Sequence, residues 1–68
     1  MEGFKIRMKV EYSQLKSRVD SLDLFVTKQS KEQTVSDDEL TILHNQLISM
    51  QNYLSYLKQR CIMHDVEI

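Results

Sequence analysis

A chain of 68 residues with one Gly, no Pro and one Cys has too little turn chemistry for a β-sandwich or barrel, and it cannot close an internal disulfide. A net charge of −1 excludes the basic footprint of a DNA-binding domain. No apolar run exceeds three residues, as in Leu24-Phe25-Val26, so neither a membrane span nor a signal segment is expected.

The composition leaves a small soluble helical domain, cytoplasmic and with Cys61 reduced. A single core of this size supplies only about 3–5 kcal/mol, so self-association is expected to add to it.

Along the chain, the first element is ambiguous at its start. Phe4, Ile6, Met8, Val10 and Tyr12 alternate with Lys5, Arg7, Lys9 and Glu11, a strand-like period of two. Phe4, Met8, Tyr12 and Leu15 also line one helical face, and a lone strand has no partner here. Helix from about residue 2–4 is therefore expected. Met8, Tyr12, Leu15, Val19, Leu22 and Val26 then recur at spacings of 4, 3, 4, 3 and 4. This is the a/d stripe of a helix packing along a straight seam.

A polar break is expected over 29–36, where Gln, Ser, Lys, Glu and Thr cluster. Ser36-Asp37-Asp38-Glu39 forms a capping box with acidic residues at the positive end of a helix dipole. Leu40, Leu43, Leu47, Met50, Leu54, Leu57 and Cys61 form the second stripe. The sequence thus predicts one all-α domain over 1–68, an antiparallel αα-hairpin with heptad seams. Helix 1 covers about 4–28, the linker about 29–36 and helix 2 about 37–63. Further apolar residues beside the seams, including Phe25, Ile48, Tyr56 and Ile62, predict self-association into a helical bundle. Its seam would hold Leu15, Leu22, Phe25, Leu43, Leu47, Met50, Leu54 and Leu57.

Catalytic motifs are absent: there is no G-x-S-x-G, phosphate-binding glycine loop or H-E-x-x-H, so no enzyme is expected. His44 reads as an edge histidine. Cys61-x-x-His64-Asp65 puts three metal-ligand types on one turn, but the chain has no second cluster, and no metal or cofactor is expected.

The columns beside the seams carry more chemistry. Gln46, Tyr53 and Arg60 recur every seven residues on helix 2, and Phe4, Glu11, Arg18 and Phe25 do so on helix 1, with Arg7 one turn before Glu11. Such positions set register and partner choice in coiled coils. They also supply what a phosphate and a planar base require, guanidinium forks and aromatic faces.

The spacing Phe4-x-x-Arg7-Met8-x-x-Glu11-x-x-x-Leu15-x-x-x-Val19-x-x-Leu22-x-x-Phe25 resembles the first helix of a family of very small tailed-phage and prophage proteins, relatives of a crAss-like phage product. Leu43-x-x-Gln46-Leu47-x-x-Met50-x-x-Tyr53-x-x-x-Leu57-x-x-Arg60 is similar to that family's second helix. Phe4 departs from the family's Tyr, and the linker is longer.

In architecture the chain also resembles the phage helical-hairpin sponges that oligomerise and sequester cyclic nucleotide signals of CBASS or Thoeris immunity. This likeness implies a non-enzymatic counter-defence protein of the bacterial cytoplasm. Its partners would be further copies of itself and a cyclic di- or trinucleotide, with no DNA and no membrane. Arg7, Arg60 and Lys58 would hold phosphates, Tyr53 or Phe4 would stack bases, and Gln46 or Glu11 would read base edges. A protein inhibitor of a host defence enzyme and a structural coiled-coil assembly factor are the alternatives.

Overall fold

The computed structural model describes residues 2–68 and contains two helices, α1 (Glu2–Glu32) and α2 (Asp37–Met63). They pack against each other as a helical hairpin measuring 47 × 14 × 13 Å. The N-terminal alternation resolves as helix, because Met8 is buried in the seam while Ile6 and Val10 stay exposed. Among the described residues, no helix is long and apolar enough to cross a membrane.

Met8, Leu15, Val19, Leu47, Leu57 and Cys61 form the buried core, with Phe4, Tyr12, Leu22, Met50, Leu54 and Val66 packed against it. Residues three and four apart share a helical face, so the two stripes close on each other along the whole hairpin. Leu57 is 1% exposed. Most residues expected to build a seam between copies are thus enclosed within one chain. Phe25 stands outside, 41% exposed at the margin of α1.

α1 runs four residues further than the polar composition of its end predicts, and the linker shrinks to 33–36. Gln29 is the reason. It stands three residues after Val26, at the next seam position, and is 4% exposed. Its side-chain oxygen accepts from the Thr34 backbone N–H (2.9 Å) and from the Thr34 hydroxyl (2.6 Å). Gln33 adopts a left-handed φ of 55°, and its N–H returns to the Gln29 carbonyl at 2.9 Å, an αL cap. One residue therefore ends the helix twice, through its backbone and through its side chain.

Gln29→Ala would strand the Thr34 donors and should cost about 1–3 kcal/mol. Urea unfolding checks this, and a midpoint equal to wild type would remove Gln29 from the account.

α2 opens as its sequence predicts. Ser36 sits in extended backbone and its hydroxyl accepts from the Glu39 N–H at 3.1 Å, while Asp37, Asp38 and Glu39 occupy the first turn. Val35 and Leu40 on either side are half-buried, in the positions of a hydrophobic staple. The other end closes in a Schellman motif. Asp65 takes φ 55°, Val66 N–H bonds the Cys61 carbonyl at 2.8 Å, and Asp65 N–H bonds that of Ile62 at 3.1 Å. Val66 is thereby folded back onto the core.

Candidate functional site

The Tyr53 hydroxyl donates to the Glu11 carboxylate across the two helices. Because the helices run antiparallel, this single contact sets the axial register of the columns beside the seam. One heptad toward the open end brings Phe4 level with Arg60. One heptad toward the linker brings Arg18 level with Gln46.

Two shallow depressions result, one on each side of the Tyr53–Glu11 bridge. Phe4, Arg7, Met8, Glu11 and Arg60 line the first. Ser17, Arg18, Ser21, Leu22, Gln46 and Met50 line the second.

Arg7, Arg18 and Arg60 are all the arginines the chain has, and all three line this one face. Among the described residues the ion pairs are Lys16–Asp20 (3.1 Å) and Lys28–Glu32 (3.8 Å), and no arginine takes part in either. Among the described residues, Glu11 is the one carboxylate lining the depressions, and one of its oxygens is occupied by Tyr53. The result is a face with three guanidinium forks available and little negative charge to satisfy them. Gly3 lies beside Arg7, where a Cβ would make only an ordinary contact of 3.6 Å with the guanidinium Nη1.

The aromatic residues divide by role. Tyr53 is 51% exposed, so a ring face is open to a planar partner. The Phe4 ring is half-buried and meets His64 edge-on, centroids 4.8 Å apart and planes at 87°. This contact holds the first turn of α1 against the end of α2 and leaves Phe4 less free to stack. The Gln46 side-chain amide rests 3.9 Å from the Met50 sulfur, a weak contact that leaves its carbonyl oxygen open.

Glu11 raises the Tyr53 pKa above its ordinary 10.0. The carboxylate accepts the phenol proton and repels the phenolate, partial burial adds to this, and the positive charge of Arg60 opposes it. A proton held more tightly in the folded state contributes stability that is complete below pH 10 and is lost as pH rises through the raised value. Glu11→Gln should therefore move the Tyr53 ionisation to lower pH, read by residue-resolved ¹³C titration of the phenol carbon. An unmoved midpoint would show that Glu11 does not hold the phenol.

The structure brings together five of the residues expected to bind a ligand: Phe4, Arg7, Glu11, Tyr53 and Arg60. Gln46 lies one heptad away in the second depression. Lys58 lines neither depression. It is two residues before Arg60, hence about 200° around the helix, on the far side of α2.

Arg18, which the sequence reading did not put among the ligand-binding residues, lines the second depression beside Gln46. Its seven-residue spacing from Glu11 was the available signal. Cys61 is a buried free thiol, His64 is engaged by Phe4, and among the described residues no three metal-ligating side chains converge.

Comparisons with curated proteins and with solved structures return no significant match. A family model, Sequestin, matches residues 2–63, which takes in both helices and every residue lining the two depressions. It carries no indication of a crAss-like phage origin. The chain belongs to the Sequestin family.

Proposed function

We propose that this protein is a non-enzymatic phage counter-defence protein that binds and sequesters a cyclic nucleotide immune messenger as an oligomer. One observation carries the reading: every arginine of the chain lines a single face without an ion-pair partner among the described residues, beside an exposed tyrosine ring. Guanidinium forks match phosphate oxygens in pairs, and an aromatic face accepts any base. The family name, Sequestin, accords with holding a ligand rather than converting it.

In this reading Arg7 and Arg60 grip one phosphate at the open end, and Arg18 takes another in the second depression. Tyr53, fixed by Glu11, stacks a base between them, and the Gln46 carboxamide reads a base edge. Phe4 serves by positioning the helix ends. None of these roles makes or breaks a bond.

Calorimetry with a panel of cyclic di- and trinucleotides tests the proposal. It requires at least one ligand bound at micromolar affinity or tighter, and no such binding across the panel would remove it. The alternative partner, a host defence enzyme, would dock on exposed apolar residues such as Leu24, Ile42 and Tyr56. In that case a stoichiometric host protein, and no nucleotide, would be recovered with the chain.

A further inference from the structure

A depression built only to hold phosphate has no use for a carboxylate. The open-end depression nevertheless sets Glu11 beside the guanidinium groups of Arg7 and Arg60. A negative charge there repels the phosphate that the arginines attract, and it lowers affinity unless the ligand brings a group the carboxylate can accept from.

Contacts within the hairpin use only part of this carboxylate. Arg7 stands four residues before Glu11, at the spacing of a helical ion pair, yet among the described residues neither enters an ion pair. The Arg7 guanidinium lies beside Gly3 instead, one turn nearer the start of α1. Tyr53 has a single proton to give and donates it to one oxygen of Glu11. A neutral carbonyl would accept that proton as well, so the bridge alone does not call for a charge.

Among the described residues the other oxygen of Glu11 has no hydrogen-bond or ion-pair partner, and the side chain is exposed. It is an acceptor with free lone pairs, oriented by the Tyr53 bridge and flanked by arginines. An ionised carboxylate can only accept. Whatever occupies it must donate.

We infer that Glu11 selects the ligand: its second oxygen accepts a hydrogen bond from an N–H or O–H that the bound nucleotide carries next to the phosphate held by Arg7 and Arg60. Two groups of a nucleotide supply such a donor, an exocyclic base amine and a free ribose hydroxyl. The inference rests on the proposed function and adds to it a requirement on the ligand. Inorganic polyphosphates bring the carboxylate negative charge alone, so the same side chain that admits the nucleotide disfavours them. Selection of this kind uses a repulsive element as well as an attractive one.

Glu11→Gln separates the two effects. With the new carbonyl accepting from Tyr53, the amide NH2 stands where the second oxygen was, and an acceptor becomes a donor. Two ligands are compared on the wild-type and substituted chains: inorganic pyrophosphate, followed through the arginine Nε–H resonances in an NMR titration, and the cyclic nucleotide that binds in calorimetry. Pyrophosphate is expected to bind the variant several-fold more tightly, and the nucleotide to bind it about tenfold or more weakly. Two analogues then identify the donor, one with hydrogen in place of the exocyclic amine and one with 2′-deoxyribose. The analogue that lacks the donor should lose affinity for the wild-type chain and lose none for Glu11→Gln, because the two changes remove the same contact.

A nucleotide affinity unchanged by the substitution would overturn the inference. So would an analogue preference that persists in Glu11→Gln. Equal losses for every ligand, pyrophosphate included, would show that Glu11 acts only by holding Tyr53 and would overturn it too. No cyclic nucleotide bound by the wild-type chain is a different result, which removes the proposed function and this inference with it.

Discussion

Leu57→Ala is expected to leave a chain without a stable fold at 25 °C. Leu57 is 1% exposed and lies in the core beside Cys61. Truncating a buried leucine costs about 2–5 kcal/mol, and a core in a chain this short supplies about 3–5 kcal/mol in all. Far-UV circular dichroism should show most of the helical signal lost, with the remainder rising with protein concentration if association rescues part of it. Ile62→Ala on the exposed side of α2 is the matched control, and its midpoint should shift far less. Wild-type helicity in Leu57→Ala would show that the hairpin does not depend on its internal seam.

Replacing Arg7 and Arg60 together with Ala should abolish most nucleotide affinity while leaving the helices intact. Both side chains line the open-end depression and neither is in an ion pair among the described residues, so their removal breaks no internal network. A hydrogen bond to a charged group is worth about 1.5–3 kcal/mol, or roughly ten- to hundredfold in affinity at 1.4 kcal/mol per tenfold. The double variant should therefore bind at least about a hundredfold more weakly by calorimetry. Lysine at both positions should restore only part of the loss, because an ammonium cannot fork across two phosphate oxygens. Unchanged affinity in a folded double variant would place the ligand elsewhere.

Much of the fold was legible because its information is periodic. Met8 to Val26 and Leu40 to Cys61 repeat at 3–4 spacing, and a stripe of that kind has one economical solution in a chain with no turn chemistry to spare. Ser36 and Glu39 announced the start of α2 for an equally local reason, since cap and backbone donor are three residues apart.

The polar composition after Val26 predicts too early an end for α1, which runs to Glu32. Gln29 is polar yet stands in seam register, and its buried side chain answers Thr34. Register outweighed composition there. The Schellman close at Asp65 was hidden because left-handed positions usually announce themselves as Gly or Asn, and this one is Asp.

The site was legible to the same degree and for the same reason. Heptad columns bring Glu11 to Tyr53 and Phe4 level with Arg60, because residues seven apart return to one helical face. Lys58 stands outside those columns and lines neither depression. Arg18 shares the column of Glu11 and lines the second depression with Gln46. Where a residue lies around the helix decides whether it lines a depression.

The proposed function requires that the protein hold a cyclic nucleotide without changing it. The most direct measurement incubates purified protein in excess with the cyclic nucleotide selected by calorimetry, removes free ligand by filtration, then heats the complex and analyses what is released by chromatography. Free ligand is expected to disappear on mixing and to return intact and in stoichiometric amount on heating. Ligand that passes the filter in full, or that returns as a linear or hydrolysed product, would contradict it.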